Sequence, residues 1–183
     1  MENMSETGKH IEHGNLMVSD WVTKYTALIP SNTLVLDLAC GSGRNTRFLL
    51  DKGYSVVALD KDVSQLVDIS CRKNLRKYKF DLEAGIKFPF NKQEFSGVVV
   101  TNYLYRPLFE NLINSLSDGG VLIYQTFMIG NEAYGRPINP KFLLKRNELS
   151  DVFDKKLYVI AFEQGYIESP KPAVVQSICA INC

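Results

Sequence analysis

The chain has 183 residues, 45% of them apolar and 22% charged, with a formal net charge of +1. That length suits one domain around a single sizeable core, and the composition excludes a disordered, fibrous or disulfide-dense protein. The near-zero charge offers no general attraction to nucleic acid or a membrane surface, and no apolar stretch is long enough to span a bilayer.

Four cysteines (Cys40, Cys71, Cys179, Cys183) lack C-x-x-C spacing, and the polar opening stretch has no signal-peptide core. Free thiols in a cytoplasmic setting are therefore expected. Residues 1–14 read as a flexible tail ahead of one domain over 15–183. His10 and His13 lie in that tail and read as solvated side chains; no metal site is expected. Over 16–29, apolar residues from Leu16 through Trp21 and Tyr25 to Ile29 recur at helical spacing, and Pro30 stops the helix.

Residues 33–50, TLVLDLACGSGRNTRFLL, organise the rest. Leu34, Val35, Leu36 and Leu38 form the apolar run of a buried parallel strand. The run ends in Ala39-Cys40-Gly41-Ser42-Gly43, and an amphipathic pattern begins at Arg44. Strand, glycine turn and helix in that order suit a nucleotide-type ligand: glycine lets the backbone approach closely, and a helix start offers unpaired N–H groups.

Two details narrow the ligand. Asp37 stands inside the strand, and Thr46 occupies the third glycine position of G-x-G-x-x-G. A carboxylate repels a dinucleotide's pyrophosphate but suits the ammonium and sulfonium of S-adenosylmethionine (SAM). Cys40 reads as a small buried turn residue, not a nucleophile.

The helix ends at Lys52-Gly53. Ser55 to Leu59 then forms a second strand that delivers Asp60 nineteen residues past Gly41, where a carboxylate accepts ribose hydroxyls. A helix is predicted over 63–74. The basic residues from Arg72 to Lys79 at its end suit a solvated helix terminus. A third strand over Tyr78-Lys79-Phe80 leads to Asp81-Leu82. A fourth, Ser96 to Thr101, ends in Asn102-Tyr103-Leu104-Tyr105-Arg106.

A helix from Leu108 to Leu116, closed by Asp118-Gly119-Gly120, precedes a fifth strand from Val121 to Phe127. The segment 128–140 is rich in turn residues and leads to a helix over 141–153. Two final strands, 156–162 and 174–182, are joined by a loop too short for a crossover helix and so run antiparallel. The whole predicts an α/β fold: a doubly wound, mostly parallel seven-stranded sheet ending in an antiparallel hairpin. Asp37, Asp60, Asp81 and Asn102 all fall at strand carboxyl ends, where such sheets bind ligands.

From about Asp20 to Ala180 the chain resembles the class I SAM-dependent methyltransferases. LDLACGSGR resembles their first motif, VVALDKD the acidic tip of their second strand, FDLEAG their third motif, and GVVVTNYLYRPL takes the place of their fourth. CGSGRNTRFLLDKGYSVVALDKD is similar to the small tellurite-resistance-type methyltransferases.

The resemblance implies a Rossmann-like methyltransferase that uses SAM and releases S-adenosylhomocysteine (SAH). It also implies roles for residues. Asp37, through the turn it orders, and the Ala39 and Gly41 backbone would serve the methionine part, with Cys40 also in the cofactor turn and Gly43 allowing close approach; Asp60 would serve the ribose, and Lys61, Asp81 and Leu82 the adenine. Thr101 and Asn102 would border the methyl group. Asn102-Tyr103-Leu104-Tyr105 lacks the paired prolines of the enzymes that methylate exocyclic amines of DNA, so nucleic acid is not the expected partner.

No catalytic residue stands out, and a small-molecule acceptor is the leading expectation. Tyr103, Tyr105, Arg106, Phe127, Tyr134 and Arg136 emerge at the same sheet edge and suit a planar or anionic acceptor. Alternatively, Arg106 and Arg136 pair with structural acids such as Glu110 or Glu132. The rival functions are an RNA- or protein-directed methyltransferase and a non-catalytic SAM-binding protein. A NAD-binding protein is opposed by Asp37 and Thr46. Oligomeric state is not set by the sequence.

Overall fold

Runs of Val, Leu and Ile between turn residues set the strands. The computed structural model, which describes residues 17–183, gathers them into one seven-stranded sheet of order β3-β2-β1-β4-β5-β7-β6. The strands are β1 (Leu34–Leu38), β2 (Ser55–Asp60), β3 (Leu75–Lys79), β4 (Phe95–Thr101), β5 (Leu116–Phe127), β6 (Tyr158–Ile167) and β7 (Ala173–Ile181). The first five are mutually parallel, and β7 lies antiparallel between β5 and β6. The chain steps outward from β1 to β3 and then returns to β4 on the other side of β1. That reversal opens a crevice at the carboxyl ends of β1 and β4.

Alternation along the strands divides the core. Val35, Val99, Val121 and Ile123 face α1 (Asp20–Tyr25) and α2 (Arg44–Asp51), where they pack with Trp21, Leu49 and Leu50. Leu36, Leu38, Val98 and Val100 face the other way, toward α3 (Phe109–Ser115) and α4 (Glu148–Phe153), and pack with Leu112, Leu149 and Phe153. Truncating a fully buried ring such as Phe153 costs about 3–5 kcal/mol, because a cavity is left as well as a transfer term lost. Asp37 falls on the α2 side by the same alternation, and this places it under the helix start.

Several expected elements differ. No α-helix forms over 63–74. A 3-10 turn at Ser64–Leu66 and further turns connect β2 to β3. Val63, Val67 and Ile69 are β-branched and stiff in a helix, and Val67 has no core to face, being 74% exposed. Asp62 instead accepts the Ser64 N–H at 2.9 Å, a turn-forming contact.

The helix over 16–29 shortens to α1 and a 3-10 turn at Thr26–Leu28. The helix over 141–153 becomes a 3-10 turn at Pro140–Phe142 and, after Asn147 in left-handed backbone, α4. Asp118-Gly119-Gly120 does not close a helix but lies within β5 at a register shift against β4. The final hairpin is longer than expected, with β6 reaching Ile167. Residues 1–14, Leu16, His10 and His13 lie outside the described residues.

Candidate active site

The end of β1 turns sharply. Ala39, Gly41 and Gly43 all have positive φ, of 55°, 52° and 80°. The Gly43 N–H donates to the Cys40 carbonyl at 2.9 Å, closing the turn, and the Cys40 N–H donates to the Leu59 carbonyl of β2 at 3.0 Å. Cys40 is buried, and burial, with Asp37 and Asp60 nearby, pushes its thiol far above the usual range. It carries no thiolate and lines the turn. At Gly43 a Cβ would stand 2.1 Å from Leu66 Cδ2, so only glycine lets the turn seat against the segment after β2.

Asp60 holds this turn from the tip of β2. One carboxylate oxygen accepts the Gly41 N–H at 2.9 Å and the other the Asp62 N–H at 3.1 Å. Its exposed neighbour Lys61, the residues Asp81 and Leu82 that follow β3, and Tyr103 after β4 join it around a cleft of about 260 Å³ that Ala39 also lines. Asp81 is exposed and accepts the Glu83 N–H at 2.9 Å. Tyr103 donates to Glu83 at 3.3 Å, and burial and that carboxylate push its phenol pKa upward.

Asp37 lies beneath, 1% exposed. The Thr46 hydroxyl donates to its Oδ2 at 2.5 Å, while Oδ1 has no partner. Burial pushes its pKa up to about 6, against the opposing pull of the Thr46 hydroxyl, the Asn45 side chain and the Arg44 charge. Asn45 donates to the Thr101 hydroxyl at 2.8 Å and leaves its own Oδ1 without a partner. Arg44 reaches the same hydroxyl and the Met17 carbonyl, both at 3.4 Å. Asn102 follows in left-handed backbone, φ 56°, with its N–H on the Gln125 carbonyl at 2.9 Å.

Of the residues expected to meet an acceptor, Phe127 lines a second cleft, of about 230 Å³, beside Asn102 and Arg44. Tyr103 faces the first cleft, and half-buried Tyr105 packs against the core. Tyr134 stacks near Tyr166, ring centres 5.2 Å apart, and the Arg136 side chain is exposed.

Arg106 is fully engaged elsewhere. Its Nε and Nη2 hold Glu148 at 2.6 and 3.0 Å, and Nη1 and Nη2 donate to the Lys141 and Leu143 carbonyls at 2.7 and 3.0 Å. The acid it pairs with is thus Glu148, while Glu110 takes Lys156.

Sequence reasoning did not assign Arg44, Asn45, Gln125 or Lys171 to the site. The first two directly follow the glycine turn, which is a usable signal. Lys171 enters from the β6–β7 turn and carries none. Among the described residues, no cluster of His, Cys, Asp and Glu is suited to a metal, and no helix is long and apolar enough to cross a membrane.

Residues 35–120 match the methyltransferase domain family. Among solved structures, TehB from Haemophilus influenzae superposes with a TM-score of 0.72 at 20% identity, covering 91% of this chain and 63% of that one. The chain thus spans under two thirds of TehB. A SAM-dependent methyltransferase from Mesorhizobium loti gives 0.71 at 16% identity, over 92% and 100% of the two chains. The 1,6-didemethyltoxoflavin-N1-methyltransferase of Burkholderia thailandensis, solved with its substrate and SAH, gives 0.69 at 14% identity, over 88% and 76%. No match was found among curated proteins.

The chain therefore has the class I SAM-dependent methyltransferase fold. The segment from β1 to the start of β5 is the part that the methyltransferase domain family matches.

Proposed function

We propose that this protein transfers a methyl group from SAM to a small-molecule acceptor. The observation that carries this reading is the pair of clefts at the carboxyl end of β4. Tyr103 faces one and Asn102 the other, so a donor and a small acceptor can meet across the strand tip.

The residues present fit SAM. Asp60, at the β2 tip beside the first cleft, is placed to accept ribose hydroxyls, with Lys61, Asp81 and Leu82 about the adenine. The backbone of Ala39, Gly41 and Gly43 leaves room for the methionine part. The partnerless Oδ1 of buried Asp37 is an acceptor awaiting a donor, and an ammonium group supplies one. Thr101 and Asn102 border the transfer point. Bound there, SAM supplies an electrophilic methyl: an acceptor lone pair forms the new bond to carbon while the C–S pair stays on sulfur, giving SAH. What the chain contributes is alignment and exclusion of water. A base is needed only for an acceptor that enters protonated, and its proton can leave to solvent.

An RNA- or protein-directed activity is less well supported, because the basic run is largely spent within the fold. Arg72 pairs with Asp51, Arg76 with Glu94, and Lys77 with the Ser70 hydroxyl. The test is to titrate SAH calorimetrically and to incubate the protein with methyl-labelled SAM and a small-molecule extract. Label in small molecules supports the reading. Tight SAH binding with no label in any pool would favour a non-catalytic SAM-binding protein, and no SAH binding would remove both.

A further inference from the structure

Charge is sorted around the second cleft. Of its lining residues, only Arg44 and Lys171 are charged, and both are cations. The acids gather in the adjoining cleft of about 400 Å³, where Asp20, Glu163 and Glu168 stand with Lys24, which is itself tied to Glu163 at 3.5 Å. The two clefts share Gln125, Ile167 and Val175, and Gln125, the polar one, is already committed: its oxygen accepts from the Ser19 hydroxyl at 2.6 Å and its nitrogen donates to Ser177 at 2.8 Å. These three form a neutral wall between a cationic cleft and an acidic one.

The remaining surface of the cationic cleft is apolar, given by Phe127, Ile167 and Val175 with neighbouring residues. Among the described residues, no hydrogen bond or ion pair engages the Lys171 ammonium. The Arg44 guanidinium is half-buried and already donates to the Met17 carbonyl and the Thr101 hydroxyl, so Lys171 is the freer cation of the two. A volume of about 230 Å³ falls below the roughly 300–1,000 Å³ typical of sites for drug-sized ligands, and so selects a small acceptor. Two cations at the rim of an apolar cavity match an amphipathic anion: charged head toward the ammonium and guanidinium, apolar body against the ring.

From this juxtaposition we infer that the methyl acceptor is a small organic acid, an anionic group on an apolar body, whose charge is received by Lys171 with Arg44 while Phe127 packs its body. The inference rests on the second cleft being the acceptor side of the proposed methyltransferase. The balance of the transfer is as given above. The acid's own charge serves recognition and is not required at the atom that is methylated.

The experiment separates a small-molecule extract by ion exchange into acidic, neutral and basic pools before any reaction. Each pool is offered to the protein with methyl-labelled SAM, and each is also tested for its effect on the Tm of the SAH-bound protein. The acidic pool is expected to take the label and raise the Tm. Lys171→Met should raise KM for the labelled acid about tenfold or more, the loss of one charge-assisted contact, with SAH affinity by calorimetry unchanged.

Lys92→Met makes the same charge change just before β4, at the amino ends of the parallel strands and away from the clefts at their carboxyl ends, and should leave KM as it was. Label only in the neutral or basic pool, or an unchanged KM in Lys171→Met, overturns the inference and leaves the methyltransferase reading standing. Failure of SAH to bind overturns both.

Discussion

Replacing Asp37 by Asn removes a charge that the ligand-free protein holds against its own stability. The carboxyl is 1% exposed, Oδ2 takes the Thr46 hydroxyl and Oδ1 has no hydrogen bond, so the Asn45 side chain, the Thr46 N–H and the Arg44 charge offset its burial only in part. Burial moves its pKa from 3.8 to about 6. A raised folded-state pKa means that the native state grips the proton harder than the unfolded state does. Stability therefore declines as pH rises from about 4 to about 6, and the full penalty stands above that. The penalty is worth up to about 3 kcal/mol.

Asn keeps an acceptor for Thr46 and carries no charge. At pH 7.5, Asp37→Asn should raise the Tm of the ligand-free protein by up to about 6–12 °C, at about 2–4 °C per kcal/mol for a chain of this size. The gain should shrink to nothing near pH 4. SAM binding should change in the opposite direction. The parent's affinity should rise with pH through about 6, as the carboxylate that attracts the ammonium forms, and the Asn variant should bind about tenfold more weakly or worse with no such pH dependence. Thermal unfolding and calorimetry across pH 4.5–8 decide it. An Asn variant that is less stable at pH 7.5, or that binds SAM with the parent's pH profile, refutes the argument.

Asp60→Ala removes the acceptor for the Gly41 N–H and should weaken SAH binding about tenfold or more; an unchanged calorimetric affinity would remove Asp60 from the ribose. Arg106→Met should cost about 2 kcal/mol and lower Tm by about 4–8 °C, the cost reduced from that of a fully buried pair because the arginine side chain is 36% exposed. Acceptor KM should stay nearly constant, and a raised KM at unchanged Tm would return Arg106 to the acceptor.

The same pair gives an acid signature. Burial pushes the Glu148 carboxyl up, but Arg106 and the Lys145 N–H outweigh it and hold it below the ordinary range. Its contribution is present above the ordinary glutamate pKa of about 4.3 and is lost as pH falls further; a constant Tm gap between parent and Arg106→Met down to pH 3 would contradict this. Gly43→Ala combines left-handed backbone with a Cβ 2.1 Å from Leu66 Cδ2 and should lower both Tm and SAH affinity. An alanine variant with the parent's values would mean that the turn is not wedged against Leu66.

Asp60 and Asn102 could be placed from the sequence because topology fixes them. Once Val and Leu runs are read as parallel strands, whatever follows a run lies at the binding edge. Arg106 could be placed at that edge but not assigned a task, because its partner Glu148 is 42 residues away and comes from a segment whose turn-rich lead-in has no period. The helix expected over 63–74 does not form, and the absence of a core for Val67 shows only in the folded molecule. Asp37 and Thr46 were both visible as departures from a dinucleotide fingerprint. That they are one interaction, a 2.5 Å hydrogen bond between strand and helix start, shows only in the folded molecule.

That interaction belongs to a rim that carries several costs of its own. Ala39 and Asn102 are not glycine and yet hold φ of 55° and 56°, a backbone region that costs of order 1 kcal/mol or more for such residues. Among the described residues, the buried oxygens without a hydrogen bond belong to Asp37 and Asn45. All four residues sit where β1 and β4 end, within the crevice formed as the strand order reverses. Val35, Leu36, Val98 and Val99, which lead into those ends, are fully buried with no polar side chain among them. A sheet this well packed can hold a poorly satisfied rim in place until a ligand satisfies it. A cofactor that brings an ammonium to Asp37 then binds a site already bent to receive it, and part of its affinity is the relief of costs the empty protein carries.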